Sequence, residues 1–391
     1  MATLLLTFLG RPAARRGQGP PGYAETAYDF GNGDVIHDRL FARALFRHLR
    51  PRGRKAPERV VMLGTPSSAW RMFGEWRDHP LPETETSLAD LARPLSDWLG
   101  AEVTPMLTRS PPAADEVPGS GLALTEGEQI GMVHRLMACV GHGDRLHLDV
   151  THGLRHLPML GLTCGRLVQA VRGARMEAIW YGALELAGEH GNKAPVVRLD
   201  GLSRAMDWSR AFAAFEADGD YTVFRDLLAA EGVSPGLLTD LRAAAFAEAQ
   251  LRVGEAAERL RGVVDAVRSL NDGTVGALFR DRLLERLAWV EGGDRRARLA
   301  ALAWRHLDHG DYLRAALSGV EAAKLDGYDH SNSAEFRRLA LLRNALAHAM
   351  DSAGQGSARD RDAVAAALAD EPTLRRELKR LLEALLPPAE S

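Results

Sequence analysis

The feature that most constrains this chain is a change of periodicity near residues 200–210. Before it, short continuous apolar runs at residues 2–9, 59–63, 145–150 and 176–181 alternate with segments of helical spacing. An apolar run of strand length is what a strand buried on both faces of a parallel sheet requires. After Asp207 the chain is rich in Ala, Leu, Arg and Glu, with glycine turns at Gly219, Gly232 and Gly310 and no convincing strand. The pattern predicts an α/β N-terminal domain over residues 1–205, a Rossmann-like parallel sheet with helices on both faces, and an all-α C-terminal domain over residues 206–391. A chain of 391 residues exceeds one comfortable core, which agrees with two domains.

Within the first half, Tyr23 to Phe30 followed by Gly31-Asn32-Gly33 reads as a β-hairpin, and residues 38–49, 88–99 and 126–140 read as helices. The run at residues 195–199 reads as an edge strand. Gly31-x-Gly33 is not a dinucleotide fingerprint, because the third glycine is missing and no buried strand leads directly into it. The first apolar run spans only residues 4–9 and has no basic segment before it, so it reads as a strand and not an export signal. No apolar stretch approaches the roughly 18 residues that cross a bilayer. Two cysteines, Cys139 and Cys164, cannot make a disulfide framework and point to a reducing, cytoplasmic setting. A formal charge of −3 excludes a protein coated in basic surface, so any anion site must be local.

Two stretches carry candidate chemistry. The strand at residues 145–150 runs into Thr151-His152-Gly153 and then a helix to about residue 171. Thr151 is placed to cap that helix, Gly153 permits close backbone approach, and the first-turn amides form an anion cradle at the carboxyl end of a sheet strand. His152 and His156 lie four apart, but glycine stands where a zinc-protease helix needs glutamate, and no metal is expected. The second stretch is a helix over residues 335–350, apolar on most of its surface and therefore expected to be buried on nearly all sides. Arg343, Asn344 and His348 interrupt it. Spacing alone leaves two readings: satisfied core polar groups, or a guanidinium and an imidazole lining a phosphodiester site.

Phe8-Leu9-Gly10, Tyr23, Tyr28, Leu63-Gly64-Thr65 and Asp149-Val150-Thr151-His152-Gly153-Leu154-Arg155-His156-Leu157-Pro158 together resemble the sensor domain of CRISPR-associated CARF proteins. Arg343-Asn344-x-x-x-His348 resembles the R-x-x-x-x-H signature of HEPN ribonucleases, and the order of the two features matches CARF-HEPN ribonucleases of type III CRISPR systems. The resemblance implies an antiviral endoribonuclease that is switched on by cyclic oligoadenylate and cuts single-stranded RNA without a metal or cofactor. The ligand would sit against Gly10, Arg11, Thr65, Thr151, His152, Gly153 and Arg155. Arg343, Asn344 and His348 would be catalytic, paired with the same residues of a second copy in a homodimer or higher even oligomer. The resemblance also allows the sensor half to degrade its own ligand. The competing expectation is a ligand sensor whose helical half only dimerises or binds a partner.

Overall fold

The computed structural model describes residues 1–10, 23–50, 57–66, 68–73, 88–107, 125–153, 156–348 and 357–387. The chain divides into two compact units, Met1–Ser203 and Arg204–Ser391.

The first unit is built on an eight-stranded sheet: β1 (Thr3–Leu9), β2 (Thr26–Asp29), β3 (Val35–Asp38), β4 (Arg59–Gly64), β5 (Glu102–Leu107), β6 (Arg145–Asp149), β7 (Arg175–Gly182) and β8 (Lys193–Arg198). Its order is β3-β2-β8-β7-β6-β1-β4-β5. Strands β7, β6, β1, β4 and β5 run parallel, β8 is antiparallel to β7, and the β2–β3 hairpin extends the sheet beyond β8. Among the described residues the helices that accompany it are α1 (Phe41–Leu49), α2 (Ala92–Leu99), α3 (Glu126–Ala138) and α4 (His156–Arg172).

Strand β1 shows why the layers form. All seven of its residues are buried. Leu5 and Leu9 join a core with residues of α1 and α2, while Leu4, Leu6 and Phe8 join a second core with residues of α3 and α4. Alternate side chains thus feed opposite faces, and each such Leu or Phe contributes about 1.5–3 kcal/mol on burial. Gly161 and Gly165 let α4 lie close against the sheet: a Cβ on Gly161 would stand 2.5 Å from Phe8 Cζ, and one on Gly165 2.4 Å from Met176 Cε.

Three expectations are corrected here. The stretch at residues 195–199 is not an edge, because the hairpin β2–β3 pairs onto β8. Strand β5 was not expected; Pro105 interrupts its pattern, and the strand tolerates it at the edge of the sheet. Thr151, expected to cap the helix that follows, is instead part of a bend over residues 151–153, and the described part of α4 is His156–Arg172.

The second unit contains, among the described residues, α5 (Asp200–Asp218, in which the division falls), α6 (Arg225–Ala230), α7 (Pro235–Ala249), α8 (Val253–Arg268), α9 (Arg280–Leu287), α10 (Arg295–Asp308), α11 (Tyr312–Leu325), α12 (Ala334–His348), α13 (Ala358–Ala367) and α14 (Glu371–Leu385), and no strand. One continuous core runs from Trp208 and Phe215 through Leu260, Leu302 and Val320 to Leu342 and Leu382. Gly319 on α11 brings that helix close to its neighbours, since a Cβ there would meet Leu382 at 2.6 Å and Leu339 at 3.3 Å.

Candidate functional site

In the sheet unit, the parallel strands reverse direction of succession between β6 and β1: β4 and β5 follow on one side, β7 on the other. Open α/β sheets bind ligands at the carboxyl ends of strands at such a switch point. The residues found there are the turns after Leu9, Gly64 and Asp149.

The turns are fastened to one another by short-range contacts. Gly10 donates its amide to Tyr23 Oη at 2.7 Å, and the Tyr23 hydroxyl donates to the Gly10 carbonyl at 2.9 Å. A Cβ on Gly10 would lie 2.8 Å from the Gly153 amide nitrogen, and Gly153 itself has φ +105° with Phe8 Cβ 2.8 Å from where its own Cβ would be. Both positions therefore require glycine. The Tyr23 and His152 rings stack, with centroids 4.3 Å apart and planes 12° from parallel. His152 Nε2 accepts the Phe41 amide at 3.4 Å, and burial pulls the imidazole down to about 4, so the ring is neutral.

Asp149 is fully buried at the end of β6 and accepts from the Thr7 hydroxyl at 2.7 Å and the Thr151 amide at 2.8 Å. Burial pushes its carboxyl up to about 6 in spite of those bonds. Thr151 was expected to cap a helix. Its hydroxyl instead accepts the Gly182 amide at 2.8 Å, tying the end of β6 to the end of β7. Its own amide is committed to Asp149, whereas no hydrogen bond occupies the amides of His152 and Gly153 among the described residues. Thr65 donates its amide to Ser68 Oγ at 2.8 Å, and Ser68 Oγ donates to the Leu9 carbonyl at 2.6 Å. Of the expected ligand residues, Gly10, Thr65, Thr151, His152 and Gly153 thus gather at the strand ends, with His152 buried inside the turn. Arg11 and Arg155 lie outside the described residues. Tyr23 and Asp149, which organise the turns, were not among the expected site residues. A lone acid ending an apolar strand was the signal available for Asp149.

In the helical unit, α12 opens on Ser333, whose Oγ accepts the Phe336 amide at 3.1 Å. Phe336, Leu339, Ala340 and Leu342 are buried, and Arg338 pairs with Glu377 at 3.2 Å. The expectation of burial on nearly all sides fails for the second half. Arg343 and Asn344 are half-buried, Ala345 and Leu346 are partly buried, and Ala347 and His348 are exposed. Helix geometry sets Asn344 one turn before His348 and about 40° round the axis from it, and puts Arg343 about 140° round the axis and about 7.5 Å back from His348. Arg343 Nε is buried without a hydrogen-bond partner among the described residues. The side chain lines a cleft of about 520 Å³ together with Arg252, Glu255, Arg295 and Glu321.

The comparisons with known proteins are narrow. No protein-family profile matches the chain. A curated relative does. Over 101 residues the chain is 28% identical to the CRISPR-associated protein MJ1674 of Methanocaldococcus jannaschii, a match covering 26% of this chain and 16% of that protein. Among solved structures, Csm6 of Enterococcus italicus bound to cyclic hexa-2′-fluoro-hexa-dAMP aligns with 100% of this chain and 96% of its own at 11% identity, with a TM-score of 0.33, too low to carry an argument. The curated match points in the same direction as the motif resemblance. Among the described residues no group of three or more His, Cys, Asp or Glu is disposed to hold a metal ion, and no helix is long and apolar enough to cross a membrane.

Proposed function

We propose that this chain is a CRISPR-associated ribonuclease of the CARF-HEPN kind, active in the cytoplasm, in which the sheet unit senses cyclic oligoadenylate and the helical unit cuts single-stranded RNA. The observation that carries the reading is the joint presence of two features. One is a glycine-dependent turn at the switch point of a parallel sheet, whose His152 and Gly153 amides have no hydrogen-bond partner among the described residues. The other is Arg343, Asn344 and His348 on the less buried half of a helix. Support comes from the similarity of 101 residues to a CRISPR-associated protein.

The chemistry assigned to the chain's own residues is an intramolecular transfer at phosphorus. The 2′-hydroxyl of one nucleotide attacks the adjacent phosphorus, the bond to the 5′-oxygen of the next nucleotide breaks, and the products are a 2′,3′-cyclic phosphate and a 5′-hydroxyl. One His348 takes the 2′ proton and the His348 of a second copy gives one to the departing oxygen, so the proton count balances. Proton transfer of this kind is worth about 10²- to 10⁴-fold. Arg343 neutralises the extra charge on the phosphoryl oxygens, and Asn344, one turn below His348, orients the site. A two-fold ligand on a two-fold pair of sensor units matches a two-fold catalytic site. A coupling of about 1–3 kcal/mol between ligand and active arrangement would raise the active population 5- to 150-fold.

The test is the chemistry of the ends. Incubation of the full chain with single-stranded RNA, cyclic oligoadenylate and excess chelator should give 2′,3′-cyclic phosphate and 5′-hydroxyl termini. Arg343→Ala should lower the rate by about 10²- to 10³-fold. Products with 3′-hydroxyl and 5′-phosphate ends would refute the mechanism.

A further inference from the structure

The cleft beside Arg343, about 520 Å³, is lined by residues from the starts of α8 and α10, from α11 and from the second half of α12. Three arginines line it, Arg252, Arg295 and Arg343, against two carboxylates, Glu255 and Glu321. Both acids are already engaged. Glu255 holds Arg252 at 2.6 Å with one oxygen and Arg259 at 3.2 Å with the other, and Glu321 holds Lys324 at 2.8 Å. The Arg295 and Arg343 side chains have no ion-pair or hydrogen-bond partner among the described residues, and the Arg343 Nε is buried without one. A guanidinium is all donor, and its strongest partners are the oxygens of a carboxylate or a phosphate.

The start of α8 brings more donors to the wall of the same cleft. Arg252 stands at its N-cap position and makes no side-chain capping bond. The amides of Val253, Gly254 and Glu255, three residues that line the cleft, have no partner among the described residues; the first amide that does is Ala256, which donates to the Arg252 carbonyl at 3.0 Å. Gly254 leaves this end bare, since a Cβ there would meet nothing within 4 Å. Uncapped amides at the positive end of a helix dipole favour an anion.

Arg295 is placed against the interest of its own helix. It is the first residue of α10, it is exposed, and the first turn of that helix holds no acid. The dipole disfavours a cation at that end. What the position costs the helix, an anion in the cleft returns.

We propose that this cleft is a phosphate subsite for single-stranded RNA: the first-turn amides of α8 and the Arg295 guanidinium hold a backbone phosphate together with Arg343, and so fix the strand against α12. The proposal rests on the ribonuclease reading and adds two binding elements for its substrate. Contacts of this kind read charge and position the strand without reading its bases.

The test measures binding of fluorescein-labelled 2′-O-methyl oligouridylate and oligoadenylate to the full chain over a range of salt concentrations. The methyl group blocks attack by the 2′-oxygen, so binding is read independently of catalysis. Arg295→Gln should weaken both probes about tenfold and to the same degree. It should also flatten the slope of log affinity against log salt by about 0.7, the equivalent of one phosphate contact on a single strand. Gly254→Asp sets a negative charge at the α8 start and should weaken both probes as well. Each substitution suits its helix, one removing a cation from a helix start and the other adding an anion to one, so the denaturation midpoint should hold or rise. Binding of either variant within twofold of wild type overturns the proposal. So does a loss of affinity that differs between the two probes, a loss accompanied by a lower denaturation midpoint, or a wild type that binds neither probe. The two readings fail separately. If the wild type cleaves unmodified RNA through His348 while both variants bind normally, only the cleft is wrong. If both variants weaken binding as expected and the wild type cleaves no RNA, only the ribonuclease reading is wrong.

Discussion

Asp149 and His152 sit three residues apart in one buried turn and should load the sheet unit with opposite pH dependences. Asp149 is raised from 3.8 to about 6 in the folded chain. Its contribution to stability is therefore complete below pH 3.8 and is lost as pH rises through 6. At 1.36 kcal/mol per pH unit this amounts to about 3 kcal/mol. His152 is lowered from 6.5 to about 4. Its contribution is complete above pH 6.5 and is lost as pH falls through 4, again about 3 kcal/mol. Between pH 4 and 6.5 the two nearly cancel in the wild type. Asp149→Asn removes one side of the balance: the sheet unit should then lose about 3 kcal/mol on acidification from pH 6.5 to 4 relative to wild type. His152→Gln should show the reverse, becoming more stable on acidification. The asparagine amide facing Thr7 or Thr151 adds a constant offset of about 1 kcal/mol without changing the slope. Native-state hydrogen exchange at the amides of β1 and β6, corrected for the intrinsic pH dependence of exchange, reads the opening free energy of this unit alone. Superimposable pH profiles for wild type and both variants would refute the buried-turn electrostatics.

Gly153→Ala places a side chain at φ +105° and 2.8 Å from Phe8 Cβ; urea denaturation of the sheet unit should show a loss of about 2–4 kcal/mol. Arg305→Leu strands the Glu248 carboxylate, whose side chain is 10% exposed, and should cost the helical unit about 3–5 kcal/mol in chemical denaturation, most of it recovered in the Arg305→Leu, Glu248→Leu double variant.

How much of this was legible in the sequence follows from what each signal depends on. Strands β1, β4, β6 and β7 are continuous apolar runs because both faces are covered, and that pattern is local. Strand β5 carries Pro105, and only its place at the sheet edge makes that tolerable. The position of β8 depends on the hairpin Thr26 to Asp38 returning to pair with it, a contact far apart in sequence. Thr151 reads as a helix cap until one knows that the Gly182 amide, 31 residues on, takes its hydroxyl. The catalytic candidates on α12 were visible as a motif, but their partial exposure was not. Ala345, Ala347 and Leu346 look like core on a helical wheel, and nothing in the helix itself says that its last two turns emerge from the packing. The Tyr221, Glu248 and Arg305 cluster left no sequence signal, since its members come from three separate segments.

The central claim, that a turn in the sheet unit governs chemistry at α12, is tested most directly by one rate measurement: cleavage of a single-stranded RNA by the full chain, with and without cyclic oligoadenylates of three to six units, for wild type and His348→Ala. The account predicts that one ring size stimulates the wild type by at least about fivefold and that His348→Ala loses about 10²- to 10⁴-fold under the same conditions. Equal rates for wild type and His348→Ala, or a wild-type rate indifferent to every ring size, would contradict it.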